Sequence, residues 1–409
     1  MTATSYARGV RRQLIIGKQA ALDTLAPTNS GRQLRRVSAT PNIIRDAFTS
    51  QEILPSQQLR DARLGARRTP LAFAGQFSPG SFNEFIEGML RRDYSAGVSA
   101  TGMTVTAVAG PPGTFTRAAG SWLADGFKVG DVVRFTGFTS GAAANNARNY
   151  RITDLTATVM TVTGVAKEVV VAAASAAGIG CSVTGKKTFI PAANHIYTPY
   201  TIEDLQPDTI PVSSHRYQDM RMQAFIIRLP ATGLATIEAQ MIGRDRQKGT
   251  AAHFVNPAEP NARNSFAGVS GLVRVNGADI ATVTSATLQI SCPVEAIPCI
   301  GTDKVPDNFQ GVIGVQMQLS LYFTDDTFMD LYDAETEFDV SVMLNSDTTV
   351  NSDFVQIVTN RVKLLGLQKN DSDRAIIQSA QVQVLEHVTG AGAGTKYEAT
   401  TISIQDSAA

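Results

Sequence analysis

Two stretches of this 409-residue chain follow one pattern, and that pattern limits the fold more than any bulk property. The first, residues 75–92 (GQFSPGSFNEFIEGMLRR), reads as a strand ending at Phe77, a turn at Ser78-Pro79-Gly80 and then a helix. Ser78 is a good N-cap, and Pro79 suits a first helical turn, where a missing N–H costs nothing. Phe82, Phe85, Ile86, Met89 and Leu90 recur at helical spacing and form the apolar stripe of a short amphipathic helix. Arg91 and Arg92 close its last turn, where cations suit the dipole. The second stretch, residues 319–338 (LSLYFTDDTFMDLYDAETEF), places Phe323, Thr324, Phe328 and Leu331 where the first has Phe77, Ser78, Phe82 and Phe85. Strand end, hydroxyl cap and apolar helix positions all correspond, which predicts a duplicated domain.

Composition narrows the class. Hydrophobic content of 43% with 18% charged residues excludes wholesale disorder, and the length suits two or three domains. Basic and acidic residues balance at 36 each, so a dedicated binder of nucleic-acid phosphates is not the expectation. Cys181, Cys292 and Cys299 are too few and too irregular for a disulfide framework. Arg11, Arg12 and Lys18 interrupt any leader-like apolar run, and no stretch is apolar for the 18 or so residues a membrane span needs. Neither a signal peptide nor a membrane segment is therefore expected.

Taken in order, residues 1–31 read as an N-terminal arm, either ordered by a neighbouring molecule or loose like many termini. Residues 32–95 together with 188–248 make the first β domain. Within it, residues 53–68 (ILPSQQLRDARLGARR) hold no sustained period and form a longer connection than a compact domain needs. Their Arg60, Arg63, Arg67 and Arg68 either reach a partner's carboxylates or decorate a solvated loop. Residues 96–187 change character: Ala, Gly, Thr and Val dominate, with short β-runs such as 103–108 and 159–162 between turns, including Asn145-Asn146. That spacing predicts a small β-barrel or sandwich. The second copy lacks it, since Leu331 is soon followed by the strand-like Phe338-Asp339-Val340, so the segment is an insertion. Its Ala-rich residues 169–177 suit either a helix or a strand. Strands expected at 202–205, 221–229 and 234–243 have counterparts at 338–344, 354–358, 361–367 and 375–385. A polar linker (249–263) leads to the second domain (264–409), which opens on an Asn276-Gly277 hairpin turn. Turns are expected at 230–233 and 369–373, and residues 292–309 take the place of the Arg-rich loop.

Chemistry is sparse. Gly180-x4-Gly185-Lys186-Lys187 fits a phosphate-cradling loop except that Lys187 stands where a magnesium-binding hydroxyl belongs, and the following Thr188-Phe189-Ile190-Pro191 is extended. His195, His215, His253 and His387 show no i, i+4 pairing, no serine lies in a GxSxG elbow, and Asp325-Asp326 reads as first-turn helix acids. No catalytic, cofactor-binding or metal site is expected.

The pattern resembles the tail tube proteins of long, flexible, non-contractile bacteriophage tails. The residues that carry the likeness are the loop 57–68, the strand and helix at 75–90, Val273-x-x-Asn276-Gly277, the strand at 314–323 and the helix at 324–332. The resemblance implies a mainly β fold with flanking helices: two tandem tail-tube sandwich/barrel domains, each of two antiparallel sheets plus one α-helix, with a small inserted β-barrel. It further implies a non-enzymatic virion protein whose copies form rings that stack into a hollow tube. If the duplication holds, three chains complete a ring with pseudo-six-fold symmetry; a true hexamer is the alternative. Implied partners are other copies of the chain, a tape-measure protein and then genomic DNA in the lumen, and terminator and distal proteins at the tail ends. Assembly would take place in the host cytoplasm. Arg11, Arg12, Arg60, Arg63, Arg67 and Arg68 are candidate ring and stacking contacts, and Phe82, Phe85, Ile86, Met89, Phe328 and Leu331 the helix core. Rival readings are another tail component, either a tail-end ring or a carbohydrate-binding adhesin, and a hydrolase on a β scaffold.

Overall fold

The computed structural model describes residues 6–53, 55–165, 168–370 and 374–409. The chain opens with β1 (Gln13–Lys18), β2 (Arg32–Gln33), β3 (Ser38–Pro41), β4 (Ile44–Thr49) and β5 (Ala62–Gln76), then α1 (Asn83–Leu90) and β6 (Ser95–Ala96). Assigning residues 1–31 wholly to an arm needs correction. Leu14, Ile15 and Ile16 of β1 are buried, and the strand is integral to the sheet. The expected caps also need correction. Phe82, not Ser78, precedes the first helical residue; the Ser78 hydroxyl instead meets Ser81 and accepts from Arg35. Phe82, Phe85, Ile86 and Met89 are fully buried, with the Phe82 and Phe85 rings 6.2 Å apart.

Next come β7 (Ser99–Val108), β8 (Gly113–Arg117), α2 (Trp122–Asp125), β9 (Val132–Thr136), β10 (Tyr150–Leu155), β11 (Val159–Gly164) and β12 (Ala173–Val183). These six strands close a barrel in the order β10-β11-β8-β7-β12-β9. A barrel this small has no room for a channel, and its interior is filled by Phe115, Trp122, Phe127, Phe135 and Tyr150. The Ala-rich segment resolves as strand from Ala173 onward, bulged where it pairs with β7. The barrel's entry and exit lie side by side, because Ser95 and Ala96 of β6 pair with Lys187 and Lys186 of β13 (Lys186–Phe189).

The chain continues through β14 (Tyr200–Gln206), β15 (Ser213–Pro230), β16 (Thr236–Gly243) and β17 (Asp245–Gly249). Then follow β18 (Gly271–Val275), β19 (Ala278–Ile280), β20 (Val283–Ser291), β21 (Val294–Glu295), β22 (Phe309–Gln310), β23 (Gly314–Tyr322) and α3 (Thr327–Asp333). The last strands are β24 (Phe338–Asn345), β25 (Phe354–Lys369), β26 (Ile377–Val384) and β27 (Ser403–Asp406). Asn276 and Gly277 take φ of 48° and 77° between β18 and β19, as a two-residue hairpin turn demands. α3 starts after Asp326 rather than at Thr324; Phe328 is buried and Leu331 packs half-buried on the core. The segments expected as two strands at 354–358 and 361–367 are one long strand, and the 369–373 turn falls partly outside the described residues.

Two sets of strands share one pairing scheme. In the first, β1 pairs with β2 and β14, β14 with β15, β15 with β17 and β16, β16 with β5, and β5 with β3. In the second, β18 pairs with β19 and β24, β24 with β25, β25 with β27 and β26, β26 with β23, and β23 with β20. Chain order is the same in both. Register agrees as well: Phe73 faces Ala239 and Ala39, and Leu319 faces Ala380 and Ala286. Both long strands break register in the same two places, around Met220 and Gln223 in β15 and around Val362 and Leu365 in β25. Those bulges let each strand leave one sheet and enter another.

Candidate assembly surface

The two sets meet strand against strand. β15 pairs with β20 from Ala224 opposite Ser291 to Pro230 opposite Ser285. The result is one curved sheet of eight strands in the order β3-β5-β16-β15-β20-β23-β26-β25, four from each set. On its inner side Phe225 and Ile227 face Ile290 and Leu288, all buried. Alternation then sends the intervening residues to the open side.

That open face is polar and nearly without net charge. One row runs Ser38, Ala74, Glu238, Ile226, Gln289, Gln316, Gln383, Lys363, and the next Gln76, Thr236, Arg228, Thr287, Gln318, Gln381, Gly366. Gln316 donates to Gln383 (3.2 Å) and Gln318 to Ser379 (3.1 Å). The Arg228 guanidinium is held by both oxygens of Glu238 at 3.1 and 3.2 Å, and Lys363 pairs with Glu335. Each cation here has its own counter-ion. Phosphate contacts therefore find little to compete for.

Both outer strands of the sheet leave an edge unpaired among the described residues: β3 on one side and the last turns of β25 on the other. Such an edge is a template for another strand. Above the sheet, β4 and the first half of β5 pair as a hairpin, so residues 62–68 of the irregular loop expected at 53–68 are strand. It exposes Phe48, Leu59 and Leu64, and Ile53 is 99% exposed. The equivalent connection in the second set exposes Ile297, Ile300 and Val312. A sequence reading drawn to arginines passes over these side chains; their signal is apolar residues in a segment with no buried face to serve.

The arginines divide by position. Arg67 binds Asp245 (3.0 Å) and Asp303 (3.3 Å), Arg45 also takes Asp303 (2.5 Å), and Arg68 takes Asp46 (2.6 Å), so these fasten the hairpin's base. Arg12 grips Asp204 at 2.6 Å and donates to the Ala39 carbonyl at 3.1 Å. Arg63 pairs with Asp61 near the tip (2.9 Å), while Arg60 and Arg11 are exposed and have no side-chain partner among the described residues. Arg11, Arg60 and Arg63 are therefore the exposed members of the six candidates.

Lys187, His253 and His387 serve the fold. Lys187 of the glycine-lysine segment is buried between Asp131 (2.7 Å) and Glu398 (3.1 Å), tying the barrel to the second set. Burial pushes the Asp131 carboxyl up while Lys187 opposes it. His253 contacts the Ala26 carbonyl, and His387 stacks on Tyr397 at 4.5 Å. Burial lowers the pKa of both His387 and His215. Among the described residues no group of three or more His, Cys, Asp or Glu is arranged to hold a metal.

The sequence model of a family described as phage tail tube protein matches residues 179–386, just over half the chain, from β12 past β26. No curated protein matches the sequence.

Proposed function

Because this chain belongs to the phage tail tube protein family, we propose that its copies associate edge to edge into rings and that the rings stack into the hollow tube of a long, flexible, non-contractile tail. The observation that carries the reading is the eight-stranded sheet: two sets of strands with one pairing scheme already joined side by side, with an unpaired edge at each end. Closing those edges against identical neighbours removes an aggregation hazard and yields cyclic symmetry.

On this reading the two sets are duplicated tail-tube domains and residues 96–187 an inserted barrel that decorates the outside. Three chains supply 24 strands at about 4.8 Å spacing, a backbone ring about 37 Å across before strand tilt widens it. Six chains would double that. A trimer with pseudo-six-fold symmetry is therefore the better fit for a conduit. The Gln/Ser face lines the lumen, first around a tape-measure protein and later around DNA, which a lining with its few charges paired lets pass. The protein acts as a structural part of the virion rather than as an enzyme, assembled in the host cytoplasm and capped by terminator and distal tail proteins. Electron micrographs of purified protein test the reading: tubes without added nucleotide are expected, and native mass spectrometry of released rings should give three chains. Protein that stays monomeric at high concentration would refute it.

A further inference from the structure

Resting on that reading, the geometry points to a specific joint between copies: the outer edge of β25 pairs antiparallel with β3 and the start of β4 of the next chain, in the register the chain already uses internally between β15 and β20. The argument transfers one observed ladder onto two unpaired edges. β15 and β25 hold the same place in their sets, with Phe225 two residues past the bulge at Gln223 and Leu367 two past the bulge at Leu365. β20 and β3 also correspond, since Ala286 and Ala39 face the equivalent Leu319 and Phe73. Ile290, four residues beyond Ala286, stands opposite Phe225. Its counterpart, four beyond Ala39, is Ile43. The joint therefore sets Leu367 against Ile43, Gln368 against Asn42 and Lys369 against Pro41 of the neighbour.

Backbone direction agrees on both sides. Across the internal joint the Cys292 N–H donates to the Gln223 carbonyl (2.8 Å), so alternate residues, Phe225 and Ile290 among them, exchange the ladder bonds. On β25 the Asn370 N–H is given to Ile377 of β26, which turns Gln368 inward and leaves Leu367 and Lys369 facing out. On the other edge the Asn42 N–H is given to Pro70 of β5, leaving Pro41 and Ile43 facing out. Proline here lacks only a donor that points away from its own sheet, as an edge position permits. Arg12 occupies the outward Ala39 carbonyl; beyond it the Tyr217 hydroxyl reaches the Pro41 carbonyl at 3.4 Å and the Asn42 side chain takes the Ile43 N–H at 2.8 Å, two contacts that the joint replaces with ladder bonds. The apolar pattern fits too: Phe225 and Ile290 are buried, whereas Leu367 and Ile43 are half-exposed and would be covered by the joint.

Gln368 and Asn42 would form a non-hydrogen-bonded pair with Cα atoms about 4.5 Å apart, within disulfide reach. The test places Gln368→Cys and Asn42→Cys together in a background carrying Cys299→Ser, which removes the exposed native thiol. Assembled tubes are oxidised and run on a non-reducing gel; a covalent ladder ending at three chains is expected. A register control joins Gln368→Cys with Thr40→Cys and should cross-link at least tenfold less. Tubes that form but cross-link only in the control, or not at all, overturn the joint while leaving the tube reading intact. Absence of any ring or tube before oxidation defeats that reading and the joint with it. A second variant, Leu367→Pro, deletes the outward N–H alone: a folded monomer by circular dichroism and gel filtration is expected, and tubes from this variant would overturn the inference.

Discussion

β15 and β25 occupy the same place in two matching ladders, yet their surroundings differ. β15 has a strand on each side of its second half, and Phe225 and Ile227 are buried there. β25 has one, and Leu367 and Lys369, the counterparts of Phe225 and Ile227, are half-exposed and exposed. The helices repeat the contrast: α1 buries Phe85, Ile86, Gly88, Met89 and Leu90, whereas α3 buries only Phe328 and exposes Met329 and Tyr332. Equivalent sequence positions thus differ in burial according to whether a neighbour is present. The second set resembles the first with its neighbour removed, which is what a ring subunit taken alone should look like.

Substitutions at matched helix positions measure this most strongly. Phe85→Ala should cost about 3–5 kcal/mol, since a fully buried ring leaves a cavity beside Phe73 and Phe82. Leu331→Ala should cost the isolated chain only about 1–2 kcal/mol, because its side chain is half in solvent. Calorimetry on disassembled chains checks both. Equal losses would erase the contrast, and a larger Leu331 loss in tubes than in free chains would sharpen it.

A seam between the sets gives the next effect. Asp406, in β27 of the second set, accepts from the Gly80 N–H before α1 (2.7 Å) and from the Ala408 N–H (2.8 Å). Burial raises its pKa from 3.8 to about 6, with the backbone donors opposing. The folded chain therefore holds this proton more tightly than the unfolded chain. The stabilisation is full below about pH 4 and is lost as pH rises through 6, a swing of about 3 kcal/mol. The melting temperature should rise between pH 7.5 and 5 relative to Asp406→Asn, which lacks this titration. Parallel pH profiles for the two proteins would remove Asp406 from the account.

How far the sequence anticipates all this depends on what each segment buries. Phe77, Phe82 and Phe85 match Phe323, Phe328 and Leu331 because both stretches serve an apolar core, and that spacing alone exposes the repeat. The ladders add a plainer sign: Ser38-Ala39-Thr40 and Ser285-Ala286-Thr287 are identical and hold equivalent positions. Three residues are too few to stand out until the pairing aligns them. β1 escapes a periodicity reading because Leu14, Ile15 and Ile16 are buried on both faces, which gives a short apolar run without alternation, between basic residues. The 53–68 hairpin escapes for the opposite reason. Both its faces are wet near the tip, so no period of two is imposed. The open edges of β3 and β25 are illegible in sequence because an edge is a property of neighbours, not of composition.

The smallest effect on the chain concerns the two connections above the sheet. The hairpin of the first set is fastened at its base by Arg45, Arg67 and Arg68, and carries Phe48, Ile53 and Leu59 outward on a rigid stem. The matching connection at 292–313 supplies Asp303, an anchor for that stem, and its exposed Ile300 lies in loop rather than on a ladder. A rigid stem loses less conformational freedom when its tip docks, so the hairpin is the better stacking device of the two. Replacing Phe48, Ile53 and Leu59 together by serine should change the stability of free chains by less than about 0.5 kcal/mol per site, since none is in the core. The same variant should yield single rings instead of tubes in electron micrographs, while Ile300→Ser only shortens the tubes. Long tubes from the triple variant would assign stacking to another surface, and rings from Ile300→Ser alone would reverse the ranking of the two connections.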